Sequence, residues 1–70
     1  MDSLDFTVGD FVEFSGYYEK LIDNNKKEIV MSSCKRKGII VEAKSGTVKI
    51  FSEEDFYIVR IVDSVHLSRI

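Results

Sequence analysis

Proline and tryptophan are absent from the 70 residues, and cysteine and histidine occur once each. Each absence removes a class of protein. A lone Cys34 forbids an internal disulfide, and Cys34 with His66 is too small a donor set for a structural zinc site. One cysteine and one histidine, in separate segments, supply at most one nucleophile–base pair. No GxGxxG run and no Walker loop is present, so no glycine-rich phosphate cradle can form. Repeats, low-complexity tracts and linkers are also missing. The longest apolar-rich stretch, residues 56–62, contains Arg60 and is too short to cross a bilayer. Met1-Asp-Ser-Leu-Asp5 lacks the basic start and apolar run of a signal peptide. With a free thiol, this points to a reducing cytoplasmic compartment and to no membrane association.

What is present is the composition of a folded domain. Apolar residues make up 44%, and five Phe and three Tyr supply bulk for a core without staples. A chain this short is one domain, 1–70, and buries only about 60% of its unfolded surface, which leaves little room for a deep catalytic cleft.

Charge is unevenly spread. Residues 1–25 carry six acids against Lys20, a net of −5. Residues 26–37 carry Lys26, Lys27, Lys35, Arg36 and Lys37 against Glu28, a net of +4. Residues 38–70 sum to −1. The sequence pI near 5.3 disfavours a dedicated polyanion binder, although the short basic segment could meet phosphate.

Period-two alternation between glycine-marked turns predicts strands. The first is Phe11–Phe14, with Val12 and Phe14 inward and Phe11 and Glu13 outward, ended by Ser15-Gly16. Lys37-Gly38 opens a second over Ile39–Ala43. Its polar Glu42 and Lys44 mark a solvent side, which directs Ile39, Val41 and Ala43 inward and Ile40 outward. A Ser45-Gly46 turn leads to Thr47–Phe51, with Val48 and Ile50 inward and Phe51 outward. The polar 52–55 turn leads to Phe56–Val62, with Tyr57, Val59 and Ile61 inward and Phe56, Ile58, Arg60 and Val62 outward. Asp63-Ser64 turns into a last strand around His66. Residues 17–34 read either as a hairpin around Asp23-Asn24-Asn25 or as a short helix with Tyr17, Tyr18, Leu21 and Ile22 on one face. The strand character of Glu28–Met31 favours the hairpin.

Five short strands with one long early excursion make a mostly-β chain, a small five-stranded closed or half-open barrel. The motifs Gly9-Asp10-x-Val12-x-Phe14, Lys37-Gly38-x-Ile40-Val41-Glu42, Gly46-Thr47-Val48 and Asp63-x-x-His66-Leu67 resemble the SH3-like barrels of the KOW and Tudor type. The resemblance covers residues 8–16 and 37–67. It implies a fold, and adds contact with RNA or ribosomal surfaces as an expectation. The stretch between Gly16 and Gly38 is longer than the usual KOW loop, and no methyl-lysine aromatic cage is identifiable.

Functionally, catalysis is not expected, nor a cofactor, a small-molecule substrate or a resident metal. Cys34 beside Lys35-Arg36-Lys37 could gain thiolate character, but thiolate chemistry needs a shaped pocket as well. His66 between Val65 and Leu67 reads as structural. The 53–55 carboxylates match no calcium loop. The informative feature is an apolar surplus: strands apolar on both faces are normally covered on both. Either Leu21, Ile22, Ile29 and Met31 of the excursion fold over the outside, or a partner-binding patch remains. The leading expectation is a protein-interaction module, an accessory subunit, adaptor or inhibitor of a larger host or phage machine. Phe11, Tyr17, Tyr18 and Phe56 are its contact anchors, and a homodimer is one form of such contact. An exposed strand edge would add backbone pairing. The alternative is a KOW-like nucleic-acid-binding domain using Lys26, Lys27, Lys35, Arg36 and Lys37.

Overall fold

The computed structural model describes residues 6–61 and 66–70. Five strands account for most of them: β1 (Phe11–Asp23), β2 (Lys26–Lys44), β3 (Thr47–Ser52), β4 (Asp55–Arg60) and β5 (His66–Arg69). All neighbours are antiparallel. Four strands close on themselves because β2 pairs with both β3 and β1, and β4 returns to β1; β5 lies outside, along the first half of β1. The result is an all-β closed barrel of four strands plus one, consistent at fold level with an SH3-like barrel.

Residues 17–34 form the hairpin, turning at Asn24–Asn25 between Asp23 and Lys26. Neither Asn takes a left-handed φ: the register shifts between Leu21 and Asp23, and the Asn24 amide donates to Asp23 Oδ1 at 2.7 Å. The expected stop at Ser15-Gly16 is replaced by a bend. Gly16 has φ +99°, and the register jumps from Phe14↔Arg36 to Gly16↔Ser32, so that Ser33, Cys34 and Lys35 bulge opposite Ser15 alone. A glycine without Cβ lets the strand turn here and continue. β1 and β2 thereby absorb the whole excursion, as an arm that prolongs the sheet.

Gly38 likewise opens no strand but lies in the middle of β2, where β2 crosses tightly over β3. A Cβ at Gly38 would lie 2.6 Å from the Phe51 carbonyl oxygen and 2.6 Å from Ile50 Cγ2. Ser52, buried at the same crossing, donates its hydroxyl to the Lys37 carbonyl at 2.6 Å.

The core consists of Val12, Phe14, Tyr18, Ile40, Val48, Ile50, Tyr57 and Val59, with Phe6, Val30, Ile61 and Leu67 packed around it. Six of these follow the expected alternation. Ile40 does not: it is buried opposite Ile50, whereas Val41 is exposed. Between Ile40↔Ile50 and Glu42↔Lys49 the ladder gains one residue, so Val41 is a bulge. Extrapolating the polar phase of Glu42 and Lys44 back across it reverses the faces of residues 39–41. Ala43 stands opposite Val48 yet is exposed at the barrel rim. At the other end Phe14, Tyr18 and Tyr57 form a triangle with ring centroids 5.0, 5.6 and 5.5 Å apart, two of the three pairs edge-to-face. Such contacts contribute roughly 0.5–1.5 kcal/mol each beyond area burial. The chain leaves β4 at Arg60; Val62, Asp63, Ser64 and Val65 lie outside the described residues.

Candidate protein-interaction surface

The outward positions of adjoining strands form rows, since residues directly opposite in an antiparallel ladder share a face. One row runs Phe11↔Ile39↔Phe51↔Phe56↔Leu21, crossing from β1 through β2, β3 and β4 back to the far half of β1. Every member is apolar. Phe11, Phe51 and Phe56 are 64%, 38% and 39% exposed, and the rings of Phe51 and Phe56 meet at a tilt of 50° with centroids 5.1 Å apart and Lys49 Nζ 5.2 Å over Phe56.

Leu21 carries this row onto the arm. Two further rungs up, Glu19↔Ile29 and Tyr17↔Met31 occupy the same outer face, with Ile58 beside Glu19 on β4. Tyr17, Ile29, Ile58 and Arg60 together line a shallow depression. Ile29 and Met31 are 59% and 76% exposed. The arm therefore does not cover the outside of the barrel, the first of the two expectations; it adds to the apolar surface.

Three of the four expected anchors, Phe11, Tyr17 and Phe56, lie on this outer face. Tyr18 is corrected to a core residue: it is 3% exposed within the aromatic triangle. Adjacent strand residues point to opposite faces, so Tyr17 and Tyr18 cannot both be surface anchors. Ile39, Phe51, Ile29 and Met31 join the surface instead. Their signal in the sequence was outward phase, hidden at Ile39 by the Val41 bulge.

The basic residues are divided. Lys26 and Lys27 stand exposed at the arm tip, and Lys35 in the bulge and Arg36 and Lys37 after it lie at most about 26–33 Å along the strand from Lys27. Lys35 pairs with Glu13 at 3.3 Å. Arg36 lies opposite the buried Phe14 and so turns inward. Its guanidinium carbon sits 5.0 Å over the Tyr57 ring, it pairs with Glu53, and its Nε is buried without a hydrogen-bond partner. Hydrogen bonding to Tyr18, with the neighbouring tyrosines and Glu53, holds its pKa above the usual arginine value despite partial burial. Arg36 is part-buried: its Nε side plugs the barrel end over Tyr57, while its guanidinium meets Glu53 in an open depression that Lys35 and Lys37 also line.

Cys34 is exposed in the bulge. His66, on the opposite side of β1, lies 3.4 Å from Glu13 and 3.3 Å from Ser68 Oγ. Burial tends to raise the Glu13 pKa, but Lys35 and His66 outweigh it and the net shift is downward. Asp10 is also held low, chiefly by the Thr7 amide and also by Arg69, at 3.0 and 3.1 Å. Among the described residues no group of three or more His, Cys, Asp or Glu is placed to hold a metal ion, and no helix is long and apolar enough to cross a membrane. No protein-family model, curated protein or solved structure matches the chain.

Proposed function

We propose that the chain is a non-enzymatic, cytoplasmic protein-interaction module that docks through the outer face of the barrel. The observation that carries this reading is the uninterrupted row Phe11–Ile39–Phe51–Phe56–Leu21, apolar on the solvent side of strands whose other side already faces the core. A solvated antiparallel sheet face normally alternates to polar, and contiguous apolar patches on small soluble domains usually mark interaction sites. Aromatic anchors within such a patch bury much area at little cost in side-chain freedom. The KOW or Tudor likeness is part of this proposal only as a scaffold. The nucleic-acid alternative has less support, because the five basic residues do not form one face and two of them are engaged by Glu13 and Glu53.

The test is capture from a cytosolic lysate, with and without nuclease, at low and moderate salt. It compares the natural chain with a Phe11→Glu/Phe56→Glu variant, both sites being solvent-facing. A stoichiometric protein retained through nuclease and salt, and lost on the double variant, supports the reading. Recovery of nucleic acid, or of proteins that vanish with nuclease, refutes it. A second copy of the chain as the captured species would assign a homodimer.

A further inference from the structure

Beyond the outer row, the arm has an edge of its own. Over residues 26–36 β2 is paired only on its β1 side, since β3 joins β2 from Ile39 onward. Among the described residues no strand lies along the other edge of this half of β2. From Leu21↔Lys27 to Gly16↔Ser32 the register is regular, and the bulge at 33–35 ends it. The stretch Lys27–Ser32 offers about 20 Å of strand whose alternate N–H and C=O groups point away from β1. Lys27, Ile29 and Met31 take its outer face, with Ile29 59% and Met31 76% exposed, and Val30, opposite Tyr18, is half-buried on the inner face. The charges are matched within one copy. Lys26 stands opposite Asp23 and the exposed Glu28 opposite Lys20, while Lys35 pairs with Glu13 at 3.3 Å and Arg36 pairs with Glu53. Within Lys27–Ser32 itself Lys27 and Glu28 cancel. Such an edge neither repels its own copy nor selects a charged segment.

We infer that two copies of the chain pair antiparallel along this edge, with Val30 on the two-fold axis, so that their arms join into one sheet. The occupant is decided by the symmetry of the pattern. Lys27-Glu28, Ile29-Val30-Met31 and Ser32-Ser33 run polar, apolar, polar about Val30. A two-fold contact needs such a self-complementary patch, whereas a foreign strand does not. Because opposed residues share a face, the axis must pass through a residue. An axis on Lys27 or Glu28 brings like charges together. One on Ile29 sets Lys27 against Met31 and Glu28 against Val30. One on Met31 or Ser32 sets apolar residues against serine and runs into the bulge. With Val30 on the axis, Ile29 meets the partner's Met31 twice, Val30 meets its counterpart, and Glu28 meets the hydroxyl of the partner's Ser32. Backbone pairing supplies the remaining contact.

The inference goes beyond the docking row and uses none of its residues, so the two readings fail separately. The test is analytical ultracentrifugation of the full chain from about 0.01 to 1 mM, a span that brackets the Kd on the order of 0.1 mM of an interface below standard size. The mass should rise toward that of a dimer. In a mixture of 13C-labelled and unlabelled protein, isotope-filtered contacts should join Ile29 of one copy to Met31 of the other. Ile29→Lys and Met31→Glu, both at exposed sites, should each weaken self-association at least about tenfold, since each change occurs twice in the dimer. Mixing the two variants should restore it, because the mixed pair sets the introduced lysine against the introduced glutamate and keeps one Ile29–Met31 contact. A monomer at every concentration, a dimer indifferent to both changes, or no recovery on mixing would overturn the pairing. So would a dimer abolished by Phe11→Glu/Phe56→Glu, which would move self-association to the outer row. Loss of the edge leaves the module reading standing if the lysate capture still yields a partner dependent on Phe11 and Phe56. Failure of that capture as well refutes both.

Discussion

Gly38→Ala is the substitution whose sign depends most directly on the tertiary structure. Gly38 lies in extended backbone within β2, and in such a site alanine alone is favourable, by about 0.5–1 kcal/mol, through lower unfolded-state entropy. The barrel reverses the expectation. The new methyl would sit 2.6 Å from the Phe51 carbonyl oxygen, 2.6 Å from Ile50 Cγ2 and 3.0 Å from Ser52 Cβ. An ordinary contact is about 3.5–4.0 Å, so β2 and β3 must part by most of an ångström. One obstacle is backbone and another is a fully buried side chain, and neither can swing aside. Overpacking of this kind costs about 1–3 kcal/mol, and disturbance of the buried Ser52 hydrogen bond to Lys37 adds about 1. The net expectation is a loss of about 2–3 kcal/mol. Domains of this size hold roughly 4–10 kcal/mol in all, so the melting temperature should fall by about 10–20 °C. The assay is urea and thermal unfolding of the purified variant followed by far-ultraviolet dichroism, with Gly46→Ala as the comparison. At Gly46 no atom lies within 4 Å of the added methyl, and only the positive φ of +83° opposes alanine. A Gly38→Ala protein as stable as the parent, or more so, would refute the tight β2–β3 crossing.

Three further outcomes follow from particular contacts. Arg36→Ala should destabilise by about 1–2 kcal/mol in urea unfolding: loss of the contact over Tyr57 and the half-exposed pair with Glu53 outweighs relief of the unpartnered Nε. A change under about 0.5 kcal/mol, as for a solvated surface charge, would contradict the plug. Glu54→Gly should stabilise by about 1 kcal/mol, because the two-residue turn between β3 and β4 holds Glu53 and Glu54 at φ +53° and +72°, where glycine carries no steric penalty; an unchanged or lowered urea midpoint would contradict that turn. Acidification should destabilise through Asp10 and Glu13. Both folded pKa values lie below the ordinary 3.8 and 4.5, so their contribution is complete above those values and is lost as pH falls through the lowered ones. Asp10→Asn and Glu13→Gln should each flatten the acid side of a melting-temperature profile, and an unaltered profile in both would refute the two ion-paired clusters.

Much of the barrel was legible from local pattern. The inward pairs Val12 and Phe14, Val48 and Ile50, and Tyr57 and Val59 follow from alternation alone, because β-structure has a period of two and each pair lies in a stretch free of bulges. The Ser45–Gly46 turn follows from a glycine free to take its φ of +83°, the Asn24–Asn25 turn from a polar break between two strand-like runs, and the lack of proline and of a disulfide from counting. The outward phase of Phe11, Phe51 and Phe56 was readable in the same way, and with it most of the candidate surface. What period-two reasoning does not carry is phase across an irregularity. The Val41 bulge exchanged the faces of Ile39 and Ile40, and the bend at Gly16 turned an apparent strand end into the middle of a long one. Glycine in a sequence signals that something unusual happens to the backbone, but not whether it is a stop, a bend or a close approach. Only the closed sheet decides that Gly16 bends and that Gly38 admits a neighbouring strand. The same holds for charge: Lys35, Arg36 and Lys37 form one run in the sequence, yet the β2 register sends Arg36 inward onto Tyr57 and leaves Lys35 to Glu13. Local composition determined which residues could build a barrel and which were surplus to its core; pairing between distant strands decided which faces those residues took and left the β2 edge open.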